Sequence, residues 1–172
     1  MYRSHNCGEL NTTNIGQKVT LAGWVQRIRN LGAMKFIDLR DEDGITQIVI
    51  NDKEELKEIS NELVTECVIS VEGKVLERSN KNLKIPTGEI EIEASSITML
   101  GKCKNVLPFE VNSEKVDISS VKEDLRLQYR YLDIRGEKLK NNLKLRAEVL
   151  QYLRNQMIEQ GFLEVQTPIL TS

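Results

Sequence analysis

The sequence predicts a mainly β protein: a five-stranded barrel, then a linker, then the first helix and strand of an α+β domain. Three observations carry this. The first hundred residues fall into β-rich stretches with period-two alternation. The one helical pattern among them separates the third stretch from the fourth. Beyond residue 135 the apolar spacing becomes helical, with too little chain to bury it.

Val19 to Arg29 is the first strand, long and rich in β-formers. Gly23 inside it predicts a bulge or sharp bend, as a strand needs when it curls around a small barrel. Asn30-Leu31-Gly32 is a turn signal. Met34 to Arg40 is the second strand, with Ile37 and Leu39 on one face and Phe36, Asp38 and Arg40 on the other. Asp41-Glu42-Asp43-Gly44 reads as a tight hairpin turn in which Gly44 supplies a positive φ. Ile45 to Asn51 is the third strand. From Lys53 to Val64, Leu56, Ile59 and Leu63 recur at helical spacing, with Asp52 as N-cap. Cys67 to Leu76 and Glu89 to Met99 complete the five strands. Three strands, a helix and two strands is the order of the OB-fold, a Greek-key barrel that binds oligonucleotides.

Periodicity is lost from Gly101 to about Ser120, and Val121 to Arg135 is short and basic. Leu139, Leu143, Val149, Leu150, Leu153 and Met157 then mark an amphipathic helix, ending near Gly161. Phe162 to Leu170 reads as a strand broken by Pro168. The expected organisation is residues 1–104 as the barrel domain, 105–135 as a linker or hinge, and 136–172 as the start of a larger, truncated domain.

Composition excludes several classes. Hydrophobic content is 40% and charged content 29%, ordinary for a globular chain. No apolar run is long enough for a membrane helix, and Met1 to His5 lacks a signal-peptide core, so the expectation is cytoplasmic. Cys7, Cys67 and Cys103 are odd in number and widely spaced, which fits neither a disulfide framework nor a metal site. His5 is the only histidine and no glycine-rich phosphate loop is present, so no catalytic constellation is complete. The net charge of -2 gives no global nucleic-acid signal, which leaves a local one.

Single-stranded RNA needs a flat π-surface, cations for phosphate and polar groups for base edges. Phe36 leaves the core face of its strand and is a candidate stacking platform. Arg27 and Arg29 are candidates for phosphate or a guanine edge. Gln47 either reads a base edge or simply alternates outward, and Arg78 to Asn82 is a polar loop flanking the expected groove. Glu89, Glu91 and Glu93 read as a solvated face. A sequence-blind single-strand binder remains open at this point, although 5% aromatic residues and a negative net charge speak against it.

Cys7-Gly8-Glu9-Leu10, Val19 to Val25, Phe36 to Asp41, Pro86 to Ile92 and Arg130-Tyr131-Leu132-Asp133-Ile134-Arg135 resemble the bacterial-type aspartyl-tRNA synthetases. Gly161 to Leu170 resembles motif 1 of class II synthetases. Lysyl- and asparaginyl-tRNA synthetases share the barrel and motif 1 and are the nearest alternatives. The resemblance implies that Arg29, Phe36, Gln47, Arg78, Asn82 and Glu91 contact the anticodon loop of tRNA(Asp). Phe36 is the implied stacking residue, and Pro168 the implied dimer-interface residue. It further implies that the full-length enzyme is a homodimer joining L-aspartate to tRNA with ATP and Mg²⁺ through an aspartyl-adenylate. Motifs 2 and 3, which hold ATP, have no counterpart in this sequence. The 172-residue chain is therefore expected to bind tRNA, with no catalytic residue, bound cofactor or metal of its own.

Overall fold

The computed structural model describes residues 2–32, 34–51, 54–103, 106–111 and 120–168. It forms two compact units, Met1–Val106 and Leu107–Ser172. The first is built from β1 (Lys18–Leu31), β2 (Met34–Arg40), β3 (Ile45–Ile50), α1 (Glu54–Glu62), β4 (Val68–Glu77) and β5 (Ile90–Gly101). The strands close in the order β1-β2-β3-β5-β4. All ladders are antiparallel except β3 with β5, which is parallel. This is the predicted barrel, with its helix between strands three and four.

One inward ring explains why the barrel packs. Ile28 pairs with Ile37, Ile37 with Ile48, Ile48 with Ile92 and Ile92 with Val75, so each strand contributes a branched side chain at this level. Ile37, Ile48, Ile92 and Val75 are fully buried. Because strand side chains alternate, the residues flanking this ring on each strand must face outward. That places the outer surface described below.

Two local expectations are corrected. The break in the β1–β2 register lies between Val25 and Arg27, not at Gly23. The extra residue there keeps both Val25 and Ile28 facing inward. Gly23 serves close approach instead, since a Cβ there would stand 2.3 Å from the Arg40 carbonyl oxygen. Gly44 has no positive φ. Its turn is held by the Asp41 carboxylate, which accepts from the amides of Asp43 (2.9 Å) and Gly44 (3.1 Å). A side chain at Gly44 would collide with Gly8 Cα at 2.8 Å.

Helix α1 buries Leu56 and packs Ile59 against the barrel core. Its last turn holds no basic residue of its own. Lys35 of β2 supplies that charge, with Nζ donating to the Ser60 carbonyl (2.6 Å), Ser60 Oγ (3.1 Å) and Asn61 Oδ1 (3.2 Å). The desolvation this entails lowers the Lys35 pKa. The predicted N-cap, Asp52, lies outside the described residues.

In the second unit, the stretch that composition reads as linker holds α2 (Glu123–Gln128) and α3 (Arg130–Asp133). A small core of Phe109, Val111 and Leu132 anchors them. The Asp133 carboxylate, 1% exposed, accepts from Arg126 Nε at 2.9 Å and from Arg130 Nη1. Helix α4 (Glu137–Glu159) follows. It ends as predicted: Gly161 has φ 86°, its amide donates to Ile158 O, and the Phe162 amide donates to Met157 O. The apolar side chains of Leu143, Val149, Leu150, Leu153 and Met157 are all exposed. Residues 162–168 join no ladder among the described residues, and the last part of the predicted strand, 169–170, lies outside them.

Candidate nucleic-acid interface

On β1, β2, β3 and β5 the residues flanking the inward ring form two outward rows of four. On one side Arg29 pairs with Phe36, Phe36 with Val49 and Val49 with Glu93. On the other Arg27 pairs with Asp38 and Asp38 with Gln47, while Glu91 precedes Ile92 on β5 as Gln47 precedes Ile48 on β3. The face therefore carries one aromatic ring, two arginines and three carboxylates. This is not a basic strip. Three carboxylates against two arginines, one of them paired with Asp38, suit base-edge reading more than phosphate attraction.

A continuous polar chain crosses the face. Arg29 Nη2 donates to Asp38 Oδ1 at 2.7 Å and to Gln47 Oε1 at 3.0 Å. Gln47 Nε2 donates to Glu91 Oε2 at 2.8 Å. Just past the end of β3, Asn51 Nδ2 donates to Glu93 Oε1 at 2.6 Å. Gln47 is only 3% exposed, so its amide is tightly confined. Phe36 is half-buried, with Arg29 opposite it on β1 and the buried Val49 opposite it on β3. A base stacking on Phe36 would find the polar chain that starts at Arg29 beside it.

The loop joining β4 to β5 borders this face on β5. The Arg78 amide donates to Glu89 O (2.8 Å) and the Asn82 amide to Gly88 O (2.9 Å), which folds the loop back on itself. Asn82 Oδ1 accepts from the Lys84 amide at 3.1 Å, so this side chain also shapes the loop. Lys81 reaches both Glu77 (3.0 Å) and Glu89 (3.4 Å).

Of the six residues singled out in the sequence, Arg29, Gln47 and Glu91 are bonded in series and Phe36 belongs to the same face. Arg78 and Asn82 belong to the adjoining loop. Pro168 is exposed in the second unit. Glu91 and Glu93 are not merely a solvated face, because both are half-buried and bonded, Glu91 to Gln47 of β3 and Glu93 to Asn51 just past its end. Sequence reasoning passed over Asp38, Asn51 and Glu93. Strand alternation put Asp38 outward beside Phe36, but nothing local showed that it would hold Arg29. Among the described residues no cluster of His, Cys, Asp and Glu is arranged to bind a metal ion, and no helix is long and apolar enough to cross a membrane.

Residues 19–100 match the family of OB-fold nucleic acid binding domains that includes the tRNA anticodon type. Residues 122–172 match the class II tRNA synthetases for D, K and N. The chain is 47% identical over 168 residues to an aspartate–tRNA ligase of Mesoplasma florum, covering 98% of this chain and 28% of that protein. It is 47% identical over 174 residues to an aspartate–tRNA(Asp/Asn) ligase of Rickettsia prowazekii, covering 99% of this chain and 28% of that protein. The crystal structure of asparaginyl-tRNA synthetase from Pyrococcus horikoshii with asparaginyl-adenylate superposes with a TM-score of 0.80 at 28% identity, over 98% of this chain and 37% of that one. The chain thus spans little more than a quarter of the length of these curated relatives.

Proposed function

Since the chain belongs to the aspartyl-tRNA synthetase family of class II synthetases, we propose that its barrel reads the anticodon loop of tRNA(Asp). The observation that supports this most is the outward face on which Phe36 lies beside the bonded series Arg29–Gln47–Glu91. Phe36 stacks an unpaired base. Glu91 accepts from the exocyclic amine of cytosine, the final base of a GUC anticodon. Arg29 and Gln47 address neighbouring base edges or phosphate, and Arg78 and Asn82 approach from the β4–β5 loop. In this proposal residues 1–104 are the anticodon-binding domain, 105–135 the hinge and 136–172 the start of the catalytic domain.

The whole protein then joins L-aspartate to tRNA(Asp) in the cytoplasm, using ATP and Mg²⁺, as a homodimer. The exposed apolar side of α4 and the segment to Pro168 are the surface for the rest of the catalytic domain and the second subunit. A relative whose name includes both tRNAs matches as well as one named for aspartate alone. Discrimination against a final uracil is therefore assigned to Glu91 rather than inferred from likeness.

Filter binding tests the reading. The 172-residue chain should bind an RNA hairpin carrying a GUC anticodon loop far better than unstructured single strands of equal length and charge. Equal binding to both would favour a general single-strand binder and reject anticodon recognition.

A further inference from the structure

We propose that Asp38 is the positioning residue that gives this face its base discrimination, acting through Arg29 on Gln47 and Glu91. The inference rests on the anticodon reading above. Asp38 Oδ1 accepts from Arg29 Nη2 at 2.7 Å, a charge-assisted bond, while the same nitrogen donates to Gln47 Oε1 at 3.0 Å. The two charged side chains are 34% and 21% exposed, so the pair lies within reach of a ligand. Arg29 Nε is buried without a bond partner among the described residues. The guanidinium is therefore held where it is despite a desolvation cost, and Asp38 is the negative charge bonded to it.

The consequence follows from what each group is able to do. Arginine only donates and a carboxylate only accepts. Gln47 must turn its oxygen to Arg29 and its nitrogen to Glu91, and both are observed. The series thereby fixes one amide orientation, and with it the carboxylate oxygen of Glu91 left to meet a base. Asp38 also neutralises Arg29. An uncompensated guanidinium on a surface that binds single strands would settle on phosphate, which is the same in every sequence. Asp38 turns a cation suited to indiscriminate binding into one that orients a base reader.

The test is filter binding of the full 172-residue chain to hairpins with a GUC anticodon loop and its single-base variants, at several salt concentrations. Asp38→Asn is isosteric and on the outer face. It should cut discrimination between GUC and its variants about tenfold, as expected when a base-reading pair loses its alignment. It should also steepen the slope of log K against log salt by about 0.7, one extra phosphate contact on a single strand. Asp38→Glu should recover part of both. In an Arg29→Ala background, Asp38→Asn should change neither, because its effect passes through Arg29. Wild-type discrimination and slope in Asp38→Asn overturn the proposal, as does an undiminished effect in the Arg29→Ala background. Thermal midpoints accompany each measurement, and Asp38→Ser carries the same comparison should Asp38→Asn unfold. If wild type itself does not discriminate among the hairpins, the anticodon reading fails and this inference falls with it.

Discussion

Gln47 Nε2 donates to Glu91 Oε2 at 2.8 Å across β3 and β5, the barrel's one parallel pairing among the described strands. The bond consumes one carboxylate oxygen, and among the described residues no donor is bonded to the other. Glu91→Gln should preserve the bond to Gln47 by offering its amide oxygen there. Its amide nitrogen would then face the base in place of an acceptor. The final-base preference should move from cytosine, which presents an amine, toward uracil, which presents a carbonyl, by about 1–3 kcal/mol. Binding of hairpins that differ only at that base checks this. An unchanged preference for cytosine would remove Glu91 from base reading.

Phe36→Ala should weaken binding of the anticodon-arm hairpin by about 1–3 kcal/mol, the usual worth of one stacked base. Phe36 is half-buried and faces away from Ile37 and Leu39, so the barrel core keeps its volume. The thermal midpoint should therefore fall by only a few degrees, corresponding to about 1 kcal/mol or less. Loss of folding together with binding would identify Phe36 as a structural residue. A Phe36→Trp variant should retain binding, since a larger π-surface stacks at least as well.

The outward position of Phe36 and Asp38 was legible in the sequence because strand alternation is local and Ile37 and Leu39 fix its phase. The bond between Gln47 and Glu91 was not. Its partners stand 44 residues apart and meet only because β5 lies parallel to β3, a register that no short window of sequence encodes. The same limit misassigned Gly23 and Gly44. Glycine announces that a side chain is intolerable, but not whether a bulge, a positive φ or a neighbouring backbone makes it so. The two short helices of the second unit were hidden for another reason. α2 and α3 span only six and four residues, too short to display a period, and a three-residue core holds them.

Gly88→Ala should disrupt the β4–β5 loop and, with it, RNA binding. A Cβ at Gly88 would sit 1.7 Å from the Asn82 carbonyl oxygen, so the turn must open. Opening breaks the bond from the Asn82 amide to Gly88 O and displaces the loop that carries Arg78 and Asn82. The expected cost to stability is about 1–3 kcal/mol. Affinity for the hairpin should fall further than stability alone explains, measured where the variant is still folded. Glu72→Ala, on an exposed position of β4 paired with Thr20 and Ser96, serves as the comparison and should alter neither quantity appreciably. Full affinity in folded Gly88→Ala would take the loop out of the interface.

Stability should fall in alkaline solution partly through Cys7. Its thiol is fully buried, and that burial raises its pKa far above the ordinary value of about 9; the neighbouring Asp41 carboxylate pushes it in the same direction. Above pH 9 the unfolded chain therefore sheds a proton that the folded chain keeps. The unfolded state then binds fewer protons than the native state, so stability declines as pH rises. Below the unfolded value both states keep the proton and Cys7 contributes no slope. One proton corresponds to about 1.4 kcal/mol per pH unit at most. Urea denaturation of wild type and Cys7→Ala from about pH 8 to about pH 10.5 separates this group from the lysines and tyrosines that titrate in the same range. Cys7→Ala should start less stable, because it removes a buried side chain, and should then decline less steeply by up to that amount. Parallel slopes for the two proteins would mean that the native state does not hold the Cys7 proton.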